Sequence, residues 1–429
     1  MNSMNANLLR LAGMALSEVL NSDGPADAQL SAFFRNKREL GTKERAFVAE
    51  SVYGVLRRLR MLTYYAGEED ARKLIVAWLV KFQGMSLRDL EACLNAQQKE
   101  WIQEIKSKPA DGLSLAMQVD MPDWLWEKLV SQYGESEALA ISRSMHLPAT
   151  LDLRVNTVKA SREDVIKKFE SENTQFNKGA ITPTPFSPIG LRLPQRMSIN
   201  RHVLFTEGKI EVQDEGSQLL CFLVAPKRGE MVADFCAGAG GKSLGMGALM
   251  RNTGRLYAFD ISEKRLHNLG QRLKRSGLSN LHAQVISSEN DQKLKRLNEK
   301  FNRVLVDAPC SGLGTLRRNP DLKWRQQPLD ISELSKKQKS ILEKASKLVK
   351  SGGRLIYATC SLLSDENEEI ASYFLSNHPE FRLIPANQIL ANQQINLDTG
   401  DFLRLFPHVH QTDGFFAAVF ERMETKETA

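Results

Sequence analysis

The chain has 429 residues, 42% of them hydrophobic and 25% charged; this balance builds packed cores and excludes disorder, collagen-like repeats and a coiled-coil rod. Its length asks for two or three domains, and apolar runs such as Leu74–Val80 are far short of the roughly 20 residues of a membrane span. The net charge of +7 is unevenly spread: 18 basic and 19 acidic side chains lie in the first 150 residues, 40 and 32 in the remainder, a weak sign of a polyanionic partner.

Leu8, Ala12, Ala15, Leu16 and Val19 recur at helical spacing until Asn21–Pro25 breaks the pattern. A second stripe runs through Phe47, Val48, Ser51, Val52, Val55, Leu56 and Leu59, with Thr42 as the expected N-cap and Arg57, Arg58 and Arg60 on the far face. Another basic cluster is Arg35, Lys37, Arg38, Lys43 and Arg45. Leu74–Val80, Leu87–Leu94 and Trp124–Tyr133 read as further helical segments, with Lys108–Gly112 as a connection. Residues 1–140 are therefore expected to form an all-α domain.

The texture changes near Pro148. Thr150–Val155 alternates like a strand, Ser161–Glu170 opens like a helix, and Pro183–Arg201 is irregular with a short strand at Leu191–Leu193. This makes 141–203 a small α+β insert. From 204 to 429, short apolar runs at Met231–Phe235, Arg255–Phe259, Ala283–Ile286, Arg303–Val306 and Arg354–Ala358 alternate with helical stretches at Lys242–Met250, Ser262–Ser276 and Ile331–Val349. That alternation predicts a doubly wound, mostly parallel α/β sheet, whose ligands bind at the carboxyl ends of the strands.

After the first of these strands comes Cys236-Ala237-Gly238-Ala239-Gly240-Gly241-Lys242-Ser243. A Walker A loop needs glycine where Cys236 stands, and a dinucleotide fingerprint needs glycine or alanine where Ser243 stands. What survives is close backbone approach and a helix N-terminus aimed at a ligand. Asp260, ending the next strand, is placed to accept hydrogen bonds from a ribose diol. Together these describe a nucleoside-bearing cofactor without a phosphate cradle, as S-adenosylmethionine would be.

The five cysteines are scattered without a CxxC pair, so neither a disulfide framework nor a zinc site is expected. Two of them directly follow buried strands: Asp307-Ala-Pro-Cys310-Ser and Thr359-Cys360-Ser361. Two strand-end cysteines with an aspartate nearby suit pyrimidine chemistry. A thiolate adding at carbon 6 makes carbon 5 nucleophilic, a carboxyl group steadies the ring, and a second thiol helps product leave. The attacking thiol must be activated, for which Lys242 is the candidate cation. A base inside an RNA fold would first be unstacked into the pocket.

These residues resemble the Sun/Fmu group of RNA cytosine-C5 methyltransferases, RsmB-like in layout, over nearly the whole chain. Val212–Gln218, the glycine loop, Asp260, the two cysteine turns, Arg317–Trp324, Glu366-Asn-Glu368 and Asp413-Gly-Phe-Phe416 occur in the order of that group's motifs. The resemblance implies a Rossmann-like class I methyltransferase domain at 204–429, an N-terminal NusB-like RNA-binding domain at 1–140 and an RNA-binding insert at 141–203. It implies Cys360 as nucleophile, Cys310 in product release, Asp307 on the cytosine and cofactor, Cys236 to Lys242 around the cofactor, and Asp260 on its ribose. The chain departs from the pattern at Gly238-Ala239, where the group has Ala-Pro, and near Ser288, where it has an aspartate beside the adenine. S-adenosylmethionine is the expected cofactor and 16S ribosomal RNA the expected partner of a monomeric cytoplasmic enzyme. The Arg317–Arg325 segment and both basic clusters are expected to touch RNA. An inactive RNA-binding or ribosome-assembly factor is the alternative reading, and a P-loop nucleotidase a remote third.

Overall fold

The computed structural model describes residues 4–171, 181–194 and 199–424. Positions 195–198 of the irregular Pro183–Arg201 stretch lie outside them. The chain divides into two compact units. One comprises the residues up to Pro148 together with Thr315–Gln327; the other comprises Ala149–Gly314 and the chain from Pro328 onward.

The first unit is all helical. Ala6–Leu20 buries Leu9, Leu11, Ala12, Ala15, Leu16 and Val19, and its Asn5 cap accepts the Asn7 and Leu8 N–H groups. The next expected stripe is two helices, Thr42–Arg57 and Leu59–Ala66. Thr42 is the first helical residue rather than the cap: Gly41 holds that place, its N–H donated to the Glu44 carboxylate at 2.8 Å. Gly54 lies against the indole of Trp78, on the Ala71–Lys81 helix, where a Cβ would come within 2.2 Å of the ring. Only a residue without a side chain allows that approach.

The Thr315–Gln327 strip belongs to this helical core. Trp324 Nε1 donates to the Leu56 carbonyl at 2.7 Å, Lys323 Nζ to the Arg57 carbonyl at 3.1 Å, and Arg57 to the Arg317 carbonyl at 3.1 Å. Arg317, Asp321 and Lys323 are buried. Arg58 pairs with buried Asp120 at 3.4 Å and Arg60 with Asp123 at 2.8 Å. Of the basic residues expected to touch RNA, Arg317 and Lys323 are thus interior, while Arg57, Arg58, Arg60 and Arg325 are partly buried and already bonded within the unit. A buried cation needs internal partners, and these have them. In the other cluster, Arg35, Arg38 and Lys43 are exposed, while Arg45 donates to the Leu40 carbonyl.

The second unit holds two sheets. Strands β1 (Leu151–Val155), β2 (Thr182–Pro183), β3 (Gly190–Leu193) and β4 (Ile210–Val212) form an antiparallel sheet ordered β2-β3-β1-β4. The helix Arg162–Ser171 packs Val165 and Phe169 into its core. Asp152 of β1 takes a two-bonded contact from Arg192 at 2.8 and 2.9 Å, and Arg192 also reaches Glu215 at 3.5 Å. Arg154, fully within the interior, donates Nε to Gln213 at 2.6 Å. The insert is thus tied to the Val212–Gln218 segment by buried polar contacts.

The larger sheet contains β5 (Met231–Asp234), β6 (Arg255–Asp260), β7 (Leu281–Val285), β8 (Phe301–Asp307), β9 (Val349–Thr359), β10 (Phe381–Ile384), β11 (Leu403–Leu405) and β12 (Phe415–Arg422). Its order is β10-β12-β9-β8-β5-β6-β7, with β11 paired to β12. The five strands from β7 to β9 are parallel, whereas β12 runs antiparallel to β9. Val304–Val306 and Leu355–Thr359 are buried continuously, as strands covered on both faces must be. The doubly wound sheet expected from the sequence is present. Its order reverses between β5 and β8, the crevice where such sheets take ligands. No helix among the described residues is long and apolar enough to cross a membrane.

Candidate active site

The glycine loop leaves β5 at that crevice. Ala237 N–H bonds the Phe259 carbonyl at 2.8 Å, and Gly238 N–H bonds Asp260 Oδ2 at 2.7 Å. Asp260 Oδ1 accepts the Ser262 N–H at 2.7 Å. Gly238 has φ +56°, and a Cβ there would meet nothing within 4 Å. Gly240 has φ +76°, and its Cβ would fall 2.1 Å from Leu269, so glycine is obligatory there. The Ala239 carbonyl is held by Arg272 at 2.8 Å. Gly241 then opens the helix Gly241–Leu249, in which the Ser243 hydroxyl donates to Asp234 at 2.6 Å. Burial pushes Asp234 up to about 7.

The Gly238 side of the loop is open, and each Asp260 oxygen retains a lone pair beyond its backbone bond. These features fit an adenosine-bearing cofactor with its ribose on Asp260. Cys236 has no nucleophile's environment: burial, then the negative Asp234, Asp307 and Asp260, push its thiol well up. Ser288 lies beyond β7, where its hydroxyl accepts the Asn290 N–H at 3.1 Å, a local turn.

The catalytic candidates come from β8 and β9. Lys242 Nζ stands 2.6 Å from Asp307 Oδ2 and 5.6 Å from the centre of the Phe415 ring. Burial alone would lower the Lys242 ammonium, but attraction and a hydrogen bond from Asp307, then Asp234 and Cys360, hold it above its ordinary value. The expected cation is therefore in place, bonded to the aspartate rather than directly to a thiol. Cys310 Sγ and Cys360 Sγ are 3.2 Å apart, and Cys360 N–H points at Cys310 Sγ at 3.3 Å. Its hydrogen bond with Cys360, then burial and nearby negative charge, push the Cys310 thiol well up, so it keeps its proton.

Two glycines close the turns. Gly314 N–H donates to the Cys360 carbonyl and Gly414 N–H to the Gly314 carbonyl, both at 2.8 Å. A Cβ on Gly314 would lie 2.3 Å from the Gly414 oxygen. The Asp413-Gly-Phe-Phe416 signature thus brings a bare backbone against the Cys360 turn and places Phe415 beside Lys242. The sequence alone gives this motif no physical role, because the close approach exists only in three dimensions. Among the described residues no group of three His, Cys, Asp or Glu side chains could hold a metal ion.

Comparison with known proteins agrees with this geometry. The family model for 16S rRNA methyltransferase RsmB/F matches residues 221–421, and the ferredoxin-like domain of RsmF/B-like methyltransferases matches residues 121–200. A probable ribosomal RNA small subunit methyltransferase B of Synechocystis sp. is 31% identical, over 95% of this chain and 98% of its own. One from Bacillus subtilis is 29% identical, over 88% and 90%. A crystal structure of a methyltransferase homolog protein from Pyrococcus horikoshii matches with a TM-score of 0.62 at 30% identity, covering 74% of this chain and 100% of that one. The crystal structure of PH0851 matches with a TM-score of 0.79 at 26% identity, covering 98% and 99%. With full-length likeness and the sheet-edge machinery both present, the chain belongs to the RsmB/F family of 16S rRNA methyltransferases.

Proposed function

We propose that this enzyme methylates carbon 5 of a cytosine in small-subunit ribosomal RNA through a transient Cys360–carbon 6 bond, working as a cytoplasmic monomer. The observation that carries this reading is the pair of thiols 3.2 Å apart at neighbouring strand ends, beside the Lys242–Asp307 ion pair. The methyl donor is S-adenosylmethionine, which supplies an electrophilic methyl group on a positively charged sulfur. The Ala237–Gly241 backbone and Asp260 would hold it.

Cys360 adds to carbon 6 and moves electron density toward carbon 5. Asp307, oriented by Lys242, accepts from the exocyclic amine and keeps one face of the ring turned toward the nucleophile. Cys310 presents its proton toward the Cys360 sulfur before attack. Cys360 gives its own thiol proton to solvent water before attack and Cys310 does so afterwards. The Cys310 thiolate then takes the carbon 5 proton, the electrons of that C–H bond restore the ring double bond, and the Cys360 sulfur leaves as a thiolate. Two thiols divide labour that one cannot perform at both ring carbons.

Purified enzyme, small-subunit rRNA transcript and labelled donor test the reading. Cys360→Ala is expected to transfer no methyl group and form no adduct. Cys310→Ala is expected to accumulate an RNA–protein complex that survives denaturant. Reversed phenotypes, or label on any atom but cytosine carbon 5, would overturn it. Calorimetric binding of donor without transfer to any transcript would favour the inactive-factor alternative.

A further inference from the structure

Cys310 and Cys360 sit on turns from different strands, so their separation depends on what holds one turn to the other. Glu366, fully buried at the end of the single turn Ser364–Glu366, does so. Its Oε1 accepts the Ser311 N–H at 2.9 Å and Gln338 Nε2 at 3.0 Å. Its Oε2 accepts the Ser311 hydroxyl at 2.6 Å and also the Ser361 hydroxyl. Ser311 follows Cys310 and Ser361 follows Cys360. The next residue repeats the pattern: Asn367 accepts from the Thr359 hydroxyl at 2.5 Å and donates to the Ser361 carbonyl at 3.1 Å.

A carboxylate deep in a protein is costly unless its oxygens are filled. This one is filled almost entirely by groups adjoining the two cysteines. Hydrogen bonds are directional where apolar packing is not. The carboxylate therefore supplies what a leucine of similar size would not, a fixed register between two loops.

We propose that Glu366 is a positioning residue for methyl transfer: by bonding Ser311 and Ser361 together it sets the Cys310 sulfur against the Cys360 sulfur. The proposal rests on the cysteine roles given above. The same negative charge raises the Cys310 thiol, which makes its thiolate a stronger base for the carbon 5 proton.

The test reads sulfur register independently of catalysis. Diamide takes two electrons and two protons from neighbouring thiols, becoming a hydrazine as the S–S bond forms. Formation of the Cys310–Cys360 disulfide in native protein is timed by mass spectrometry for wild type and Glu366→Gln. The glutamine variant is expected to form it about tenfold more slowly or less, with kcat reduced and with donor KM and melting temperature near wild type. Formation at the wild-type rate would overturn the proposal whatever the activity, as would a wild-type enzyme that forms no such bond. Should Glu366→Gln not fold, Ser361→Ala, which removes one of the four donors, must show the same slowing, and an unchanged rate there is equally fatal. A Cys360→Ala enzyme that still methylates would remove the mechanism while leaving the crosslinking result standing.

Discussion

At the scale of single residues, the site depends on charges and glycines with one permissible identity. Lys242 and Asp307 neutralise each other in a partly buried crevice, and removing one leaves the other without that counter-ion. Lys242→Met is expected to lower kcat on the order of 100-fold at saturating RNA and donor; an unchanged kcat would detach the ion pair from the chemistry. Gly240→Ala meets both a positive φ and the Leu269 side chain. It is expected to cost about 1–3 kcal/mol, read as a lower melting temperature and weaker donor binding. Residues of this kind were legible in the sequence because strand-end position is itself a signal. Cys310, Cys360, Asp307 and Asp260 could be named as candidates from the strand pattern alone. Glu366 could not, since its meaning lies in four bonds, two of which reach across 55 positions of chain. The pairing of Lys242 with Asp307 was likewise invisible: the sequence offers the lysine to any nearby anion, and burial decides which.

Among the secondary-structure elements, four of the five parallel strands lie within two residues of their apolar runs, because continuous apolar runs bounded by polar turns admit few alternatives; β9 starts five residues before its run, at Val349. The helical unit was read less fully. Ala96–Ser107 buries only Ile102 and Ile105 along its length, too sparse a pattern to stand out, and the Thr42–Leu59 stripe concealed a break at Arg58. Charge was the poorest guide. Arg57, Arg58 and Arg60 look solvated in sequence but bond carbonyls and aspartates inside the unit. Substituting them is therefore expected to lower the melting temperature. By contrast, Arg35, Arg38 and Lys43 are exposed around the turn between the helices Ala26–Asn36 and Thr42–Arg57. Changing these three to alanine is expected to weaken RNA binding and reduce the slope of log affinity against log salt by about 2. Filter binding across a salt series measures it, and an unchanged slope would clear this face of RNA contact.

Across the whole molecule, a partly buried histidine in each compact unit resists protonation. In the helical unit, burial, followed by the positive Lys323, Arg58 and Arg57, pushes His146 down to about 2, against the opposing bond to the Val119 carbonyl. The unfolded chain takes a proton near the ordinary value of 6.5 and the folded one does not, so stability is lost as pH falls below that value. The slope is up to about 1.4 kcal/mol per pH unit. Urea midpoints measured from about pH 7 to about pH 5 should decline for the wild type and flatten for His146→Gln. A class of fold and the contents of its crevice could be read from one dimension, but the compact units could not, because Thr315–Gln327 lies far along the chain from the helices it joins. That return of the chain constrains how such a protein can be shortened. A fragment beginning at Ala149 would still carry Trp324, stripped of the apolar surroundings it has in the helical core, and would expose a sticky ribbon to solvent. Excising the helices cleanly therefore takes two cuts, one at the front and one in the middle of the gene, and any lineage or engineer that drops them must trim that inner ribbon as well.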